Sequence, residues 1–72
     1  MATTQWRDSS AYSSTYNYYY NMVLTGWVTA PRGGSGKWEA TYVSRRWMNN
    51  ELMDTEEEAR RYVEVLSRID GG

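Results

Sequence analysis

Residues 18–29 read YYYNMVLTGWVT, and the fold turns on this stretch. It is dense in aromatic and β-branched residues, the types that suit a pleated, half-buried surface. Read as one strand, its alternation puts Tyr18, Tyr20, Met22, Leu24 and Val28 on one face. Tyr19, Asn21, Val23, Thr25 and Trp27 fall on the other. The first set is the more apolar and is expected to face the core; the second is aromatic but wetter. Gly26 marks a bulge or a close backbone approach.

Toward the C-terminus, residues 30–36 (APRGGSG) stop the strand at Pro31 and place three glycines in a flexible loop. Residues 37–48 (KWEATYVSRRWM) read as a second strand, with Trp38, Ala40 and Tyr42 alternating against Glu39, Thr41 and Val43. The alternation fades at Ser44–Arg46. Asn49-Asn50 reads as a tight turn, because Asn tolerates left-handed backbone, and Glu51–Met53 returns as a short third strand. Residues 55–69 read as a helix. Thr55 with Glu58 forms a capping box, and Glu56, Glu57 and Glu58 sit where the helix dipole favours negative charge. Ala59, Tyr62, Val63, Leu66 and Ile69 share one face. Glu56–Arg60, Glu57–Arg61 and Glu64–Arg68 are favourable pairs on the other.

Toward the N-terminus, residues 1–17 (MATTQWRDSSAYSSTYN) show no periodicity and read as a flexible Ser/Thr/Tyr-rich arm with Trp6 and Tyr12 as its candidate anchors. The expected fold for residues 18–72 is a small two-layer α+β domain, β-β-β-α. An antiparallel sheet of two or three strands carries one C-terminal helix across one face. Tyr18, Tyr20, Trp38, Tyr42 and Tyr62 go to the core. The uncovered face keeps Tyr19, Val23 and Trp27, and the sheet has free edges.

Composition narrows the function. A chain of 72 residues is one small domain and buries only about 60% of its unfolded surface. Cysteine and histidine are absent, which removes disulfides, Cys/His zinc sites and imidazole catalysis. Seven Tyr and four Trp stand without a single Phe, and both carry a polar handle that suits half-wet interfaces. The net charge of −1 advertises neither nucleic acid nor membrane. No apolar run approaches the ~20 residues of a membrane helix. No basic start followed by an apolar stretch marks a leader, so a cytoplasmic location is expected.

Candidate motifs were weighed on their chemistry. Gly36-Lys37 fails as a phosphate loop, because Pro31 stands where Gly is needed, Trp38 follows the lysine, and a strand follows rather than a helix. Arg32-Gly33-Gly34 is a single RGG in a loop. Arg32, Lys37, Arg45 and Arg46 with Trp38, Tyr42 and Trp47 mix cations and rings in the manner of single-strand nucleic-acid binders. The acidic run at 51–58 is read as helix capping, without EF-hand spacing. No acid–base constellation supports an enzyme, and no cofactor or metal is expected. Tyr, Trp and Arg are the types enriched at protein hot spots. The expected partner surface is therefore Tyr19, Trp27, Arg45, Arg46 and Trp47, with Glu56 and Glu57 as a second patch.

Trp38-Glu39-Ala40 in a strand, a hairpin, then Asp54-Thr55-Glu56-Glu57-Glu58-Ala59 opening a helix resembles a pattern of small phage-encoded inhibitors. These are the anti-CRISPR proteins and the phage inhibitors of bacterial RNA polymerase. The resemblance spans residues 38–66 and implies a stoichiometric, non-enzymatic inhibitor that blocks a host nucleic-acid-handling complex in the host cytoplasm. It transfers no functional residue. A single-stranded nucleic-acid binder and a homo-oligomer, such as a homodimer burying its open sheet face against itself, are the alternatives.

Overall fold

The computed structural model describes residues 3–9, 14–31, 36–44 and 47–71. Residues 18–29 prove to be two strands. Asn21 (φ 52°) and Met22 (φ 69°) are both left-handed, as a two-residue hairpin turn of the primed type requires. The turn closes β2 (Thr15–Tyr20) onto β3 (Val23–Thr29). Asn21 also ties the turn to the neighbouring chain: its N–H donates to the Thr3 carbonyl at 2.7 Å, and its Oδ1 accepts from the Thr3 N–H at 3.1 Å.

The sheet has five strands, where two or three were expected. β1 (Thr4–Asp8), β2, β3, β4 (Trp38–Val43) and β5 (Met48–Met53) form an antiparallel meander in that order. A C-terminal helix, α1 (Glu56–Gly71), packs on one face. The stretch read as an arm thus supplies β1 and the start of β2. The single large apolar residue of β1, Trp6, gives no periodicity to detect, yet one anchor suffices for an edge strand. Tyr12 lies outside the described residues. Asn49 and Asn50 are in β5, not in a turn. The chain turns instead between Ser44, whose N–H donates to the Trp47 carbonyl at 2.9 Å, and Trp47, whose N–H donates to Ser44 Oγ at 3.2 Å. Asn50 spends its side chain across the strands, donating to Thr41 Oγ1 at 2.9 Å.

Cross-strand partners share a face, so the register sorts the side chains. Trp6, Tyr18, Gly26, Tyr42 and Asn49 form one transverse row; Asp8, Tyr16, Val28, Ala40 and Glu51 form the next. Both rows look toward the helix, because Tyr18, Val28 and Ala40 are buried with Ala59 and Val63 of α1. The register shifts between Tyr18 and Tyr19, which oppose Gly26 and Leu24 and leave Thr25 as an extra residue. Thr25 lies on the helix side, where its hydroxyl bonds Ser67 Oγ at 2.7 Å, and the bulge keeps Gly26 on that side as well. The turn moves Leu24 to the uncovered face and Val23 to the helix side, the reverse of the single-strand assignment, and the bulge restores the expected phase from Gly26 onward. Met22 becomes a turn residue.

The helix begins as its sequence requires. The Glu58 N–H donates to Thr55 Oγ1 at 3.1 Å, and the Thr55 hydroxyl donates to Glu58 Oε1 at 3.2 Å. Such a cap stabilises a helix by about 1 kcal/mol. The buried stripe is Ala59, Val63 and Ser67, spaced by four, with Tyr62 and Leu66 half-buried beside it. Ile69 lies two residues past Ser67, on the far side, and is 72% exposed. Arg60 is held by Glu56, to which its Nε donates at 2.7 Å. Its guanidinium carbon lies 4.7 Å from the Trp6 ring centre and 5.1 Å from that of Tyr16. Glu64 accepts from Trp6 Nε1 at 2.8 Å rather than serving the helix surface. These contacts fasten β1 to α1.

Candidate functional site

The face opposite the helix is built from alternate residues of all five strands. Gln5, Tyr19 and Leu24 form its first row; Arg7, Asn17, Trp27, Thr41 and Asn50 form its second; Thr15, Thr29, Glu39 and Leu52 form its third. Val43 and Met48 pair beyond them at the end of the sheet. The Arg7 guanidinium carbon sits 5.2 Å from the centre of the Tyr19 ring. Thr15 and Thr29 bring their hydroxyls to 3.4 Å across the hairpin. Thr41 is buried between Trp27 and Asn50. Tyr19, Leu24 and Trp27 make one apolar area on β2 and β3. On β5, Met48 and Leu52 stand apart with Asn50 between them.

The residues expected to form a partner surface and its second, acidic patch occupy three places. Tyr19 and Trp27 are together on the uncovered face, as diagonal neighbours across β2 and β3. Trp47 is elsewhere. Its ring packs on Tyr42 with centroids 5.2 Å apart, and Tyr42 belongs to the helix side. Glu56 and Glu57 open the helix, Glu56 engaged with Arg60 and Glu57 exposed. Arg45 and Arg46 lie outside the described residues. The sequence reading missed Arg7, Leu24, Met48 and Leu52 on the uncovered face. An Asn inside an apolar run was the one signal that pointed to the turn and hence to Leu24.

The basic-aromatic set disperses as well. Trp38 and Tyr42 face the helix, Trp38 stacking on Tyr16 with ring centres 6.4 Å apart. Lys37 forms an ion pair with Asp54 at the surface. Each holds the other charged: the Lys37 ammonium titrates above its ordinary range and the Asp54 carboxyl below, through their shared hydrogen bond. Arg32 is outside the described residues.

Among the described residues, no group of His, Cys, Asp or Glu is arranged to hold a metal, and no buried side-chain nitrogen or oxygen lacks a hydrogen-bond partner. An open cleft of about 630 Å³ runs between α1 and the ends of β1 and β2, with Tyr18, Tyr20, Arg61, Glu64 and Arg68 on its walls. Among the described residues no helix is long and apolar enough to cross a membrane.

Tyr42 is strongly perturbed. Burial, then the 2.7 Å hydrogen bond it donates to Asp70 and the charge of that carboxylate, push its phenol up to about 12. Burial also raises Tyr18. A phenol whose folded pKa lies above its unfolded value of 10.0 contributes stability that is complete below pH 10.0 and disappears as the pH climbs toward 12. Chemical denaturation midpoints are therefore expected to fall through that alkaline window. Tyr42→Phe should flatten the fall, leaving the smaller shares due to Tyr18 and to Lys37. An equal slope in the variant would contradict the assignment.

Comparisons of this chain with protein-family models, with curated proteins and with solved structures find no match.

Proposed function

We propose that this protein is a non-catalytic binding module that engages a protein partner through the uncovered face of its sheet. The observation that carries the reading is the one-sided cover. A single helix occupies one face, and Tyr19, Leu24 and Trp27 stand on the other with Arg7 lying over Tyr19. Tyr, Trp and Arg concentrate binding energy at protein interfaces, and a uncovered aromatic face on a small domain marks such an interface. In this reading the protein acts by occupancy. It blocks the surface it binds, in the manner of the small phage-encoded inhibitors that its helix-opening motif resembles, whose expected target is a nucleic-acid-handling complex.

A single-stranded nucleic acid is the weaker occupant. Among the described residues the face carries one cation, Arg7, whereas such sites combine stacking rings with a continuous cationic groove. Affinity capture with the immobilised full chain tests the choice. Loss of a central Trp anchor at an interface costs at least about 2 kcal/mol, roughly 30-fold in affinity. Trp27→Ala is therefore expected to lose the proteins that the wild type recovers. Equal recovery would sink the reading. Oligonucleotide binding with a steep salt dependence would favour the nucleic-acid alternative.

A further inference from the structure

The two edges of the sheet are not equivalent. β1 is five residues long, carries the charged pair Arg7 and Asp8, and points its Trp6 at the helix. Charge and shortness are the devices that keep an edge strand from pairing. β5 carries a single charge, Glu51, on the helix side. It is six residues long, MNNELM, in unbroken register with β4, and holds no lysine and no proline. Met53 anchors it to the core. Met48 and Leu52, on the uncovered face, are 64% and 61% exposed.

We propose that two copies of this chain pair edge to edge through β5, antiparallel about a two-fold axis, so that the two sheets continue into one. Symmetry restricts the register sharply. A two-fold that joins two antiparallel edges into one sheet runs perpendicular to it and preserves its faces. Residues on the uncovered face must then oppose residues on the uncovered face. Centring on Asn50 satisfies this and pairs residues 48–52 in full. Asn50 meets Asn50 of the second copy, Met48 meets Leu52 on the uncovered face, and Asn49 meets Glu51 on the helix side. The two Met48–Leu52 contacts are apolar against apolar, and each Glu51 carboxylate meets an amide that can donate to it. Centring on Glu51 sets like charges directly opposite, which is destabilising. Centring on Asn49 or Leu52 pairs only three residues of each strand. The strand is thus complementary to itself in one register, and a second copy is the occupant it fits.

This differs from a dimer that buries the open face. The contact extends the sheet sideways and leaves Tyr19 and Trp27 free. Sedimentation of the full chain from low micromolar to near-millimolar concentration is expected to show a reversible monomer–dimer equilibrium. Leu52→Lys, a change at an exposed site, should keep the wild-type circular dichroism and weaken association at least tenfold, because the symmetry applies it twice. With no cysteine in the chain, a single introduced thiol reports the register. Directly opposed residues lie about 4.5–5.5 Å apart, a span a disulfide bridges. Asn50→Cys should therefore oxidise to a covalent dimer faster than Glu51→Cys. A monomer throughout the range, undiminished association in Leu52→Lys, or faster cross-linking of Glu51→Cys would each overturn the proposal. Trp27→Ala should associate as the wild type does. Loss of association there would move the contact to the open face and overturn the edge pairing, whatever becomes of the partner-binding reading.

Discussion

Gly26→Ala is expected to destabilise the fold by about 3 kcal/mol, at the upper end of the cost of overfilling a packed core. A Cβ at this position would lie 2.5 Å from the Thr41 carbonyl oxygen and 2.7 Å from Val63 Cγ1. The first of these atoms is β4 backbone and cannot swing aside; the second belongs to a fully buried side chain of α1. Relief requires the helix to lift or β3 and β4 to part, and either movement opens the core around Tyr18, Val28 and Ala40. At roughly 0.05–0.15 kcal/mol per residue, a 72-residue chain loses much of its stability to this one methyl group. Gly36→Ala provides the contrast. Among the described residues nothing lies within 4 Å of its Cβ, and its left-handed backbone (φ +67°) opposes the change, at a cost of about 1 kcal/mol. Urea denaturation midpoints should rank wild type above Gly36→Ala and Gly36→Ala well above Gly26→Ala. A Gly26→Ala midpoint at the wild-type value would refute the close approach of α1 to β3.

Trp6→Ala is expected to cost about 3 kcal/mol, the lower end for truncating a large aromatic side chain because the ring is only half-buried. Trp6 is the main side-chain link from β1 to the rest of the molecule. Its ring lies 4.8 Å from that of Tyr18 and 4.7 Å from the Arg60 guanidinium carbon, and its indole N–H donates to Glu64 at 2.8 Å. The loss should be local. Amides of β1 are expected to exchange as fast as free chain, while those of β3 and β4 keep their protection. Trp6→Phe preserves the ring contacts and gives up the exposed hydrogen bond, about 1 kcal/mol. Full protection of β1 in Trp6→Ala would mean that its backbone pairing with β2 holds it without the anchor.

How much of this could be read from the sequence follows from what each element asks of it. The helix was legible almost to the residue, because capping and an apolar stripe both write themselves locally at Thr55, Glu58, Ala59 and Val63. Ser67 was missed, since a buried hydroxyl leaves no hydrophobic signal and its partner Thr25 is remote in sequence. β1 was invisible for a related reason. Four of its five residues are polar and its stability comes from Tyr18, Arg60 and Glu64. The hairpin inside 18–29 was hidden by its own flanks. Apolar residues run on both sides of Asn21, and Met22 is not a residue that advertises a left-handed turn. Missing the two-residue turn exchanged Val23 for Leu24 on the uncovered face. Tyr19 precedes both irregularities, and Trp27 keeps its face because the bulge cancels the phase change made by the turn. Trp47 did not join them, since its place depends on a ring contact with Tyr42 that no spacing rule reports.

The account stands on the claim that the uncovered sheet face, not the helix, is where a partner sits. Hydroxyl-radical footprinting of the free chain and of the chain bound to a captured partner tests this directly. Tyr19, Leu24 and Trp27 are expected to be shielded in the complex, with Ile69 and Arg61 on the outer surface of α1 labelled as in the free protein. Shielding of Ile69 and Arg61 with Tyr19, Leu24 and Trp27 unchanged would contradict it.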